Sequence, residues 1–337
     1  LGPSGGPITK DQTSVEYYGV IFAFAESPKQ KGVLWAGSDD GLVHVSRDDG
    51  KTWQNVTPKD MVKFTRVSII EPGHFAPGVA YVAANRYQLD DMKPYLWKTA
   101  DFGKTWTRID AGIDPTEFTR AIREDDEVPG LLYVGTERGV WFSRTDGANW
   151  QRLQLNLPPV PVHDLAVRDG DLIAATHGRS FWIIDDLSPL RQLTPAVSAS
   201  EAHLFRPRNA YRVSFAGRGG GGRGAAAPAG PPVHPVATSP SGGPVVHYWL
   251  KRGGREVTLE FLDARGKLID SFTSKRDSAA AAAAADEDAA PRRGGPAPRV
   301  ANKAGINNFA WNMRYDDAST FNGLIMWAAG TQGPMAP

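Results

Sequence analysis

Short apolar stretches separated by turn residues recur along residues 17–195 of this 337-residue chain. Each repeat starts with a short strand pattern and continues, after a Pro- or Gly-containing turn, with a second apolar strand and then a third. The second strands begin at Val33, Val79, Leu131 and Leu172. Four short strands per repeat are typical of a β-propeller blade. The pattern therefore predicts an all-β fold with four blades over residues 17–195, after an N-terminal extension over residues 1–16.

One eight-residue pattern, Ser/Thr-x-Asp-x-Gly-x-x-Trp, occurs between the third and fourth predicted strands of the first three repeats. It is known as an Asp-box, and its three tryptophans lie 53 and 44 residues apart, a period that indicates propeller blades. Its residues are Ser46, Asp48, Gly50, Trp53, Thr99, Asp101, Gly103, Trp106, Ser143, Asp146, Gly147 and Trp150.

The residue types of this motif indicate a folding element rather than a catalytic site. A short acidic side chain accepts hydrogen bonds from the backbone of its own turn. Glycine supplies a positive φ, and tryptophan buries a large surface between neighbouring sheets. The third copy has Thr145 at the Asp position, with Asp146 beside it, so we expect the turn to be kept with altered bonding.

Composition excludes several classes of function. A net charge of +1 argues against nucleic acid and anionic membranes as partners, and no stretch is apolar enough for membrane insertion. The absence of cysteine excludes disulfides, thiolate metal sites and a Cys nucleophile. No His pair has zinc-ligand spacing, so neither a metal nor a cofactor is expected. The chain starts at Leu1 and stops at Pro337, which suggests a fragment whose parent protein has further propeller blades upstream.

The composition changes after residue 195. Residues 196–244 are rich in Gly, Pro and Ala and are predicted to form a linker. Strand patterns return over residues 245–337 and predict a partial, immunoglobulin-like β-sandwich. An alanine run followed by acidic residues interrupts it, and predicts a disordered insertion at about residues 276–299.

The tandem Asp-boxes, together with the Ala-Ala-Thr-His-Gly-Arg-Ser-Phe-Trp-Ile-Ile-Asp-Asp segment at 174–186, carry a family resemblance. The chain resembles the C-terminal portion of bacterial glycosyl hydrolases with BNR repeats, also called sortilin-type propeller proteins. The resemblance implies a propeller followed by a β-sandwich. It also implies a secreted, periplasmic or cell-surface location. Proteins with Asp-boxes include sialidases, xyloglucanases and non-catalytic sorting receptors, so the resemblance does not by itself give the activity.

Propeller topology predicts where a ligand site lies. The Asp-box turns lie on one rim, whereas the loops from second to third strands and the connections between blades lie on the opposite one. Two carboxylates there are candidate catalytic residues, Asp40 and Glu137. The candidate ligand-binding residues are Arg66, Tyr87, Asp90, Asp91, Arg120, Arg138, His177 and Arg179. A structural interpretation stays open for each, as a hairpin turn, as a bond to a carbonyl between blades, or as a clamp in the last blade.

Two functions fit this predicted face. A glycoside hydrolase needs two carboxylates, about 5 Å apart for retention or about 6.5–9.5 Å for inversion. Asp40, Glu137 and either Asp90 or Asp91 are available, with a polysaccharide as the substrate. The alternative is a non-catalytic propeller that binds a peptide or a glycan, in which Arg66, Arg120 and Arg179 make bidentate contacts to a carboxylate. A sialidase or a peptidase is less favoured, since no complete set of catalytic residues is evident.

Overall fold

The computed structural model describes residues 18–210, 243–275, 299–315 and 333–336. The chain divides into two compact units, one ending at Leu187 and the other beginning at Ser188. Nearly all of the regular structure is antiparallel strand, as predicted. The predicted N-terminal extension, most of the predicted linker and nearly all of the predicted insertion lie outside the described residues. None of the helices in the described ranges is long and apolar enough to span a membrane.

The first unit consists of three four-stranded sheets and one three-stranded sheet, each with its strands in sequence order. Blade 1 contains β1 (Ile21–Glu26), β2 (Leu34–Ser38), β3 (Val43–Ser46) and β4 (Gln54–Asn55). Blade 2 contains β5 (Arg66–Pro72), β6 (Ala80–Arg86), β7 (Asp91–Thr99) and β8 (Thr107–Arg108). Blade 3 contains β9 (Thr119–Glu124), β10 (Leu132–Thr136), β11 (Gly139–Ser143) and β12 (Gln151–Arg152). Blade 4 contains β13 (Val162–Arg168), β14 (Asp171–Thr176) and β15 (Phe181–Ile184). These sheets are the predicted propeller blades.

The apolar cores of this unit lie between successive blades, since one buried cluster joins residues of blades 1 and 2 and another joins blades 2 and 3. The blades approach closely at the Asp-box glycines. An added Cβ at Gly103 would lie 2.6 Å from Val56, and one at Gly147 would lie 2.7 Å from Ile109. Both glycines also have a positive φ, so the motif requires glycine for its turn and for blade packing.

The Asp-box turns have the hydrogen bonds expected of a folding element. The Asp48 carboxylate accepts from the amide of Thr52 at 2.9 Å and from its hydroxyl at 2.6 Å. Asp101 binds Thr105 in the same way. In the third copy the Thr145 hydroxyl accepts from the Asn149 amide at 2.8 Å, so the turn is kept with altered bonding. Asp146 bonds outside its turn, to Tyr81 and Lys98 of blade 2.

Two of the three motif tryptophans connect neighbouring blades. The Trp106 indole donates to the Val56 carbonyl at 2.6 Å, and that of Trp150 donates to the Ile109 carbonyl at 2.5 Å. Trp53 is different: it is 39% exposed and packs near Phe24 of its own blade, with ring centroids 6.5 Å apart. Burial between sheets is therefore wrong for Trp53, because the described residues place no blade on that side of blade 1.

Acid is expected to destabilise the Asp-box turns. The Thr52 hydroxyl and amide hold the pKa of Asp48 at about 2, and the same bonds from Thr105 lower the pKa of Asp101. A carboxyl with a depressed folded pKa stabilises the fold above its unfolded pKa, and that contribution is lost as the pH falls through the folded value. The free energy of unfolding should therefore fall between about pH 4 and about pH 2. Urea unfolding of the unsubstituted chain across this pH range measures the change in the free energy of unfolding.

Asp48→Asn should make this pH dependence shallower, because the titrating group is gone. Asp49→Asn is the matched control, since Asp49 lies in the same turn with a φ of 63° that asparagine tolerates. If the free energy of unfolding changed equally with pH in the unsubstituted chain and in Asp48→Asn, the acid sensitivity could not be assigned to this carboxylate.

The second unit combines two short helices with two small sheets. Its elements are α1 (Ser188–Gln192), α2 (Pro195–Ala199), β16 (Ala202–Leu204), β17 (Val245–Leu250), β18 (Thr258–Leu262), β19 (Leu268–Thr273) and β20 (Gly305–Ala310). One sheet has the order β16-β17-β20, and β18 pairs with β19. Tyr248, Phe309 and Trp311 lie in their shared core. Two sheets around one core are compatible with the predicted sandwich, whose immunoglobulin-like character stays a prediction.

Candidate functional site

The loops from second to third strands contact the connections between blades, and together they form what we call the loop face. Three equivalent backbone hydrogen bonds join them. The Asp39 amide donates to the Val20 carbonyl at 3.2 Å, that of Glu137 to Phe118 at 3.2 Å, and that of His177 to Pro161 at 2.9 Å. The repetition of this bond shows that the face is built in the same way in blades 1, 3 and 4.

The first strand of each blade (β1, β5, β9 and β13) has a β-bulge near its loop-face end. The register with the second strand slips by one residue in all four sheets. The extra residues are Phe22, Ser68, Arg120 and His163. Because a bulge takes its residue out of the two-residue alternation, it can re-aim that side chain. The fold therefore gives each blade one side chain outside the alternation, and in blade 2 this residue, Ser68, accepts a hydrogen bond from the buried Asn85.

Arg66 is the arginine of this face that lies between two aromatic rings, and it has no acidic partner in the described part of the chain. Its guanidinium lies 4.9 Å from the ring centre of Phe22 and 5.8 Å from that of Tyr87. One Nη donates to the Gln88 side chain at 2.5 Å, whereas the buried Nε has no hydrogen-bond partner among the described residues. The arginine that binds carbonyls between blades is instead Arg86, which donates to the Lys63 carbonyl at 2.8 Å.

Arg120 continues the same row but is already paired. Its Nε and one Nη donate to a single carboxylate oxygen of Glu137, at 2.9 and 2.7 Å. Its guanidinium lies 4.7 Å from the ring centre of Phe118, which in turn stacks on Tyr87 with centroids 4.7 Å apart. We call Phe22, Arg66, Tyr87, Phe118 and Arg120 the Arg–aromatic ladder.

Two histidines lie beside the ladder. The rings of His163 and His177 meet edge to face, with centroids 4.9 Å apart. Partial burial lowers the pKa of His163, and the charges of Arg120 and His177 lower it further against the opposing effect of Glu137. His163 is therefore neutral at pH 7 and adds a polar, uncharged ring to this part of the face.

The remaining predicted residues lie on the loop face but outside this row. Asp91 accepts from the Tyr95 hydroxyl at 2.6 Å and faces Arg86 at 3.5 Å, so it supports its own loop. Asp90 ends the 3₁₀ turn with a φ of 58° and is exposed. Arg138 and Arg179 are exposed as well. Within the described ranges, neither arginine forms an ion pair.

The two candidate catalytic carboxylates each have a partner of their own. Asp40 accepts a hydrogen bond from the Ser38 hydroxyl, and Glu137 is held by Arg120. Asp40 belongs to blade 1 and Glu137 to blade 3, whereas Arg66 and Tyr87 belong to blade 2 between them. A shared catalytic role for the pair therefore stays a prediction. In the described portion of the chain, no group of three or more His, Asp or Glu side chains could hold a metal ion.

Sequence reasoning missed Phe22, Phe118, His163 and Gln88 as parts of this face. A signal was present for two of them, since Phe118 and His163 occur in blade connections that can be aligned with each other. Phe22 gave no signal, because the alternation along β1 does not reveal the bulge that brings it to the face.

Comparisons with known proteins give only distant likenesses. No family model matches the chain, and no curated protein matches it. Among solved structures, YCF48 from Cyanidioschyzon merolae is 19% identical with a TM-score of 0.37, over 50% of this chain and 53% of that one. The GH74 xyloglucanase from Xanthomonas campestris is 15% identical with a TM-score of 0.37, over 49% of this chain and 29% of that one.

An ancestral GH74 enzyme is 15% identical with a TM-score of 0.40, over 77% of this chain and 33% of that one. This chain thus spans about half of the YCF48 structure and about a third of each of these two GH74 structures. Similarity at this level carries no inference about a ligand or a reaction.

Proposed function

We propose that the loop face is a binding site for an extended ligand that carries a carboxylate, either an acidic peptide or an acidic glycan, and that Arg66 anchors it. The observation that carries the proposal is the half-buried Arg66 guanidinium, held between two rings with its Nε unpartnered in the described residues. A partly desolvated cation is unfavourable without a partner. Arginine binds a carboxylate through two parallel hydrogen bonds, which makes a carboxylate the fitting partner.

The other residues of the Arg–aromatic ladder support this proposal. Because Glu137 neutralises Arg120, the positive charge of the ladder that a ligand meets lies at Arg66. The stacked Tyr87 and Phe118 rings offer an apolar platform for a sugar face or an aliphatic side chain beside that charge. The Arg–aromatic ladder therefore suits a ligand that presents one carboxylate and an adjacent apolar surface.

Polysaccharide hydrolysis is the second candidate function. It is favoured by the position of Asp40 and Glu137 on loops of the same face in different blades. The resemblance to BNR-repeat glycosyl hydrolases and sortilin-type proteins suits either function. Export from the cell is part of the same proposal.

Replacement of Arg66 tests the binding function directly. Acidic peptides, their amidated counterparts, uronate oligosaccharides and neutral oligosaccharides are titrated against the intact chain. We expect binding by at least one carboxylate class and no binding by its neutral counterpart. Arg66→Ala should weaken that binding about 10- to 100-fold, the equivalent of one charge-assisted hydrogen-bond pair. Arg66→Lys should recover only part of it, because lysine lacks the bidentate fork.

Arg168→Ala is the control, since Arg168 is an exposed arginine of the same unit that ends β13 away from the loop face. Unchanged affinity in Arg66→Ala would overturn the anchor assignment. Release of reducing ends from a polysaccharide, abolished by Asp40→Asn or Glu137→Gln, would instead establish the hydrolase.

A further inference from the structure

An apolar cavity of about 130 Å³ lies between blades 3 and 4, away from the ladder. Its walls include Val140, Leu153, Leu157, Leu172, Ala174 and Trp182. The cavity is partly open to solvent, and its apolar walls at a blade junction need an explanation. The other two junctions of the same unit supply it.

Both of those junctions contain the same structural positions, but each is filled by a tryptophan. Around Trp150, between blades 2 and 3, the equivalent positions are Leu96, Ile109, Ile113, Leu132 and Val134. Around Trp106, between blades 1 and 2, they are Val43, Val56, Met61, Ala80 and Val82. At the third junction they are Val140, Leu153, Leu157, Leu172 and Ala174, and blade 4 has no Asp-box tryptophan.

The polar part of the junction is repeated too. The amides of Val56, Ile109 and Leu153 donate to the third strand of their own blade, at 2.8, 3.1 and 2.8 Å. The carbonyls of Val56 and Ile109 then accept the indole N–H of the next blade. The Leu153 carbonyl accepts no hydrogen bond from any described residue. The third junction therefore has the apolar walls and the carbonyl acceptor that hold an indole at the other two junctions. No Asp-box tryptophan of the described residues fills it.

Within the described residues, no strand occupies the place of the one that would carry such a tryptophan. In blades 2 and 3 the tryptophan directly precedes the short fourth strand, β8 or β12, which pairs with the third strand. Blade 4 ends with β15, whose outer edge pairs with no described strand. On β15, Phe181 is 71% exposed and Ile183 is 55% exposed. A free, apolar strand edge is a template for pairing with another segment.

We propose that the junction of blades 3 and 4 is a second binding site, which takes an extended segment of a partner polypeptide carrying a tryptophan. The segment adds to β15 as the fourth strand of blade 4, the strand-addition mode of peptide recognition. Its indole fills the cavity and donates to the Leu153 carbonyl, which continues the row of junctions that Trp106 and Trp150 form within the chain. The volume suits an aromatic ring, since a cavity of about 150 Å³ accepts benzene.

The chain itself supplies the probe. A fluorescein-labelled peptide with the sequence of residues 101–110 contains Trp106, the β8 strand and Ile109. It is titrated against the full chain by fluorescence anisotropy. We expect saturable binding, at least tenfold weaker binding of the same peptide with Trp106→Ala, and displacement of the label by free indole. The titrations are made in the Arg66→Ala background, so that the peptide's own carboxylates, Asp101 and Asp110, do not bind the anchor of the loop face.

Ala174→Leu is the blocking variant, since the added carbons occupy the cavity. It should weaken peptide binding at least tenfold, while urea unfolding shows that the protein stays folded. Equal affinity for the two peptides would overturn the proposal, as would unchanged binding by Ala174→Leu or a failure of free indole to compete. A dimer of the chain that Ala174→Leu dissociates would also overturn it, by making a second copy the occupant.

Discussion

Replacing Trp150 by alanine is expected to lower the free energy of unfolding of the first unit by about 3–5 kcal/mol. The side chain is only 7% exposed and lies in the core between blades 2 and 3. Its loss leaves a large cavity and removes the indole that donates to the Ile109 carbonyl. Urea unfolding, followed by the near-ultraviolet circular dichroism of the blades, measures the change.

Trp53→Ala is the matched control, because Trp53 occupies the same position of the motif in blade 1. It is 39% exposed and donates to no carbonyl among the described residues, so the loss should be smaller, about 1–2 kcal/mol. Equal destabilisation by the two substitutions would show that the tryptophan acts within its own turn and not between blades.

Glu117→Leu is expected to destabilise the same unit by about 2–4 kcal/mol, since it removes the buried carboxylate that accepts from the Trp141 indole and pairs with Arg152. Glu117 is 1% exposed in the connection before β9. Its carboxylate accepts from the Thr136 hydroxyl at 2.9 Å and from the Trp141 indole at 3.0 Å, and it pairs with Arg152. Leucine keeps most of the volume but accepts nothing. The midpoint of urea unfolding measures the loss.

Glu117→Gln separates the hydrogen bonds from the charge. Its carbonyl oxygen still accepts from Thr136 and Trp141, whereas the ion pair with the partly exposed Arg152 is lost. The expected loss is therefore about 1 kcal/mol. If glutamine destabilised the protein as much as leucine, the charge on Glu117 would matter more than the acceptor it provides.

Local repeats made much of the fold predictable. Four strands per repeat and the Asp-box turns follow from short-range patterns, and even the Thr145 turn was expected to keep its shape. The environment of each tryptophan was not predictable in this way. Trp53 and Trp150 occupy the same position of the motif, and the blade beside them decides which one is buried.

The candidate site was predictable as a set of loops but not as a set of contacts. Arg66 and Arg120 were both expected at the site. Arg120 is the bulge residue of its strand, whereas the bulge of the strand that contains Arg66 lies at Ser68. Which arginine has an acidic partner depends on loops of different length. Glu137 reaches Arg120, whereas the side chain that reaches Arg66 is the neutral Gln88. Sequence spacing does not encode that difference.

The four bulges also separate the residues that determine what the loop face can bind from the residues that pack the sheets. Phe22, Ser68, Arg120 and His163 share one register position and have four different chemistries, while flanking residues such as Val67 and Ala121 stay buried. A mutation at Phe22, Arg120 or His163 therefore changes the face and leaves these flanking core residues in place, whereas Ser68 also accepts a hydrogen bond from the buried Asn85. Four codons, one per blade, are enough to diversify what this surface recognises, so the chain is suited to evolving a new specificity one blade at a time.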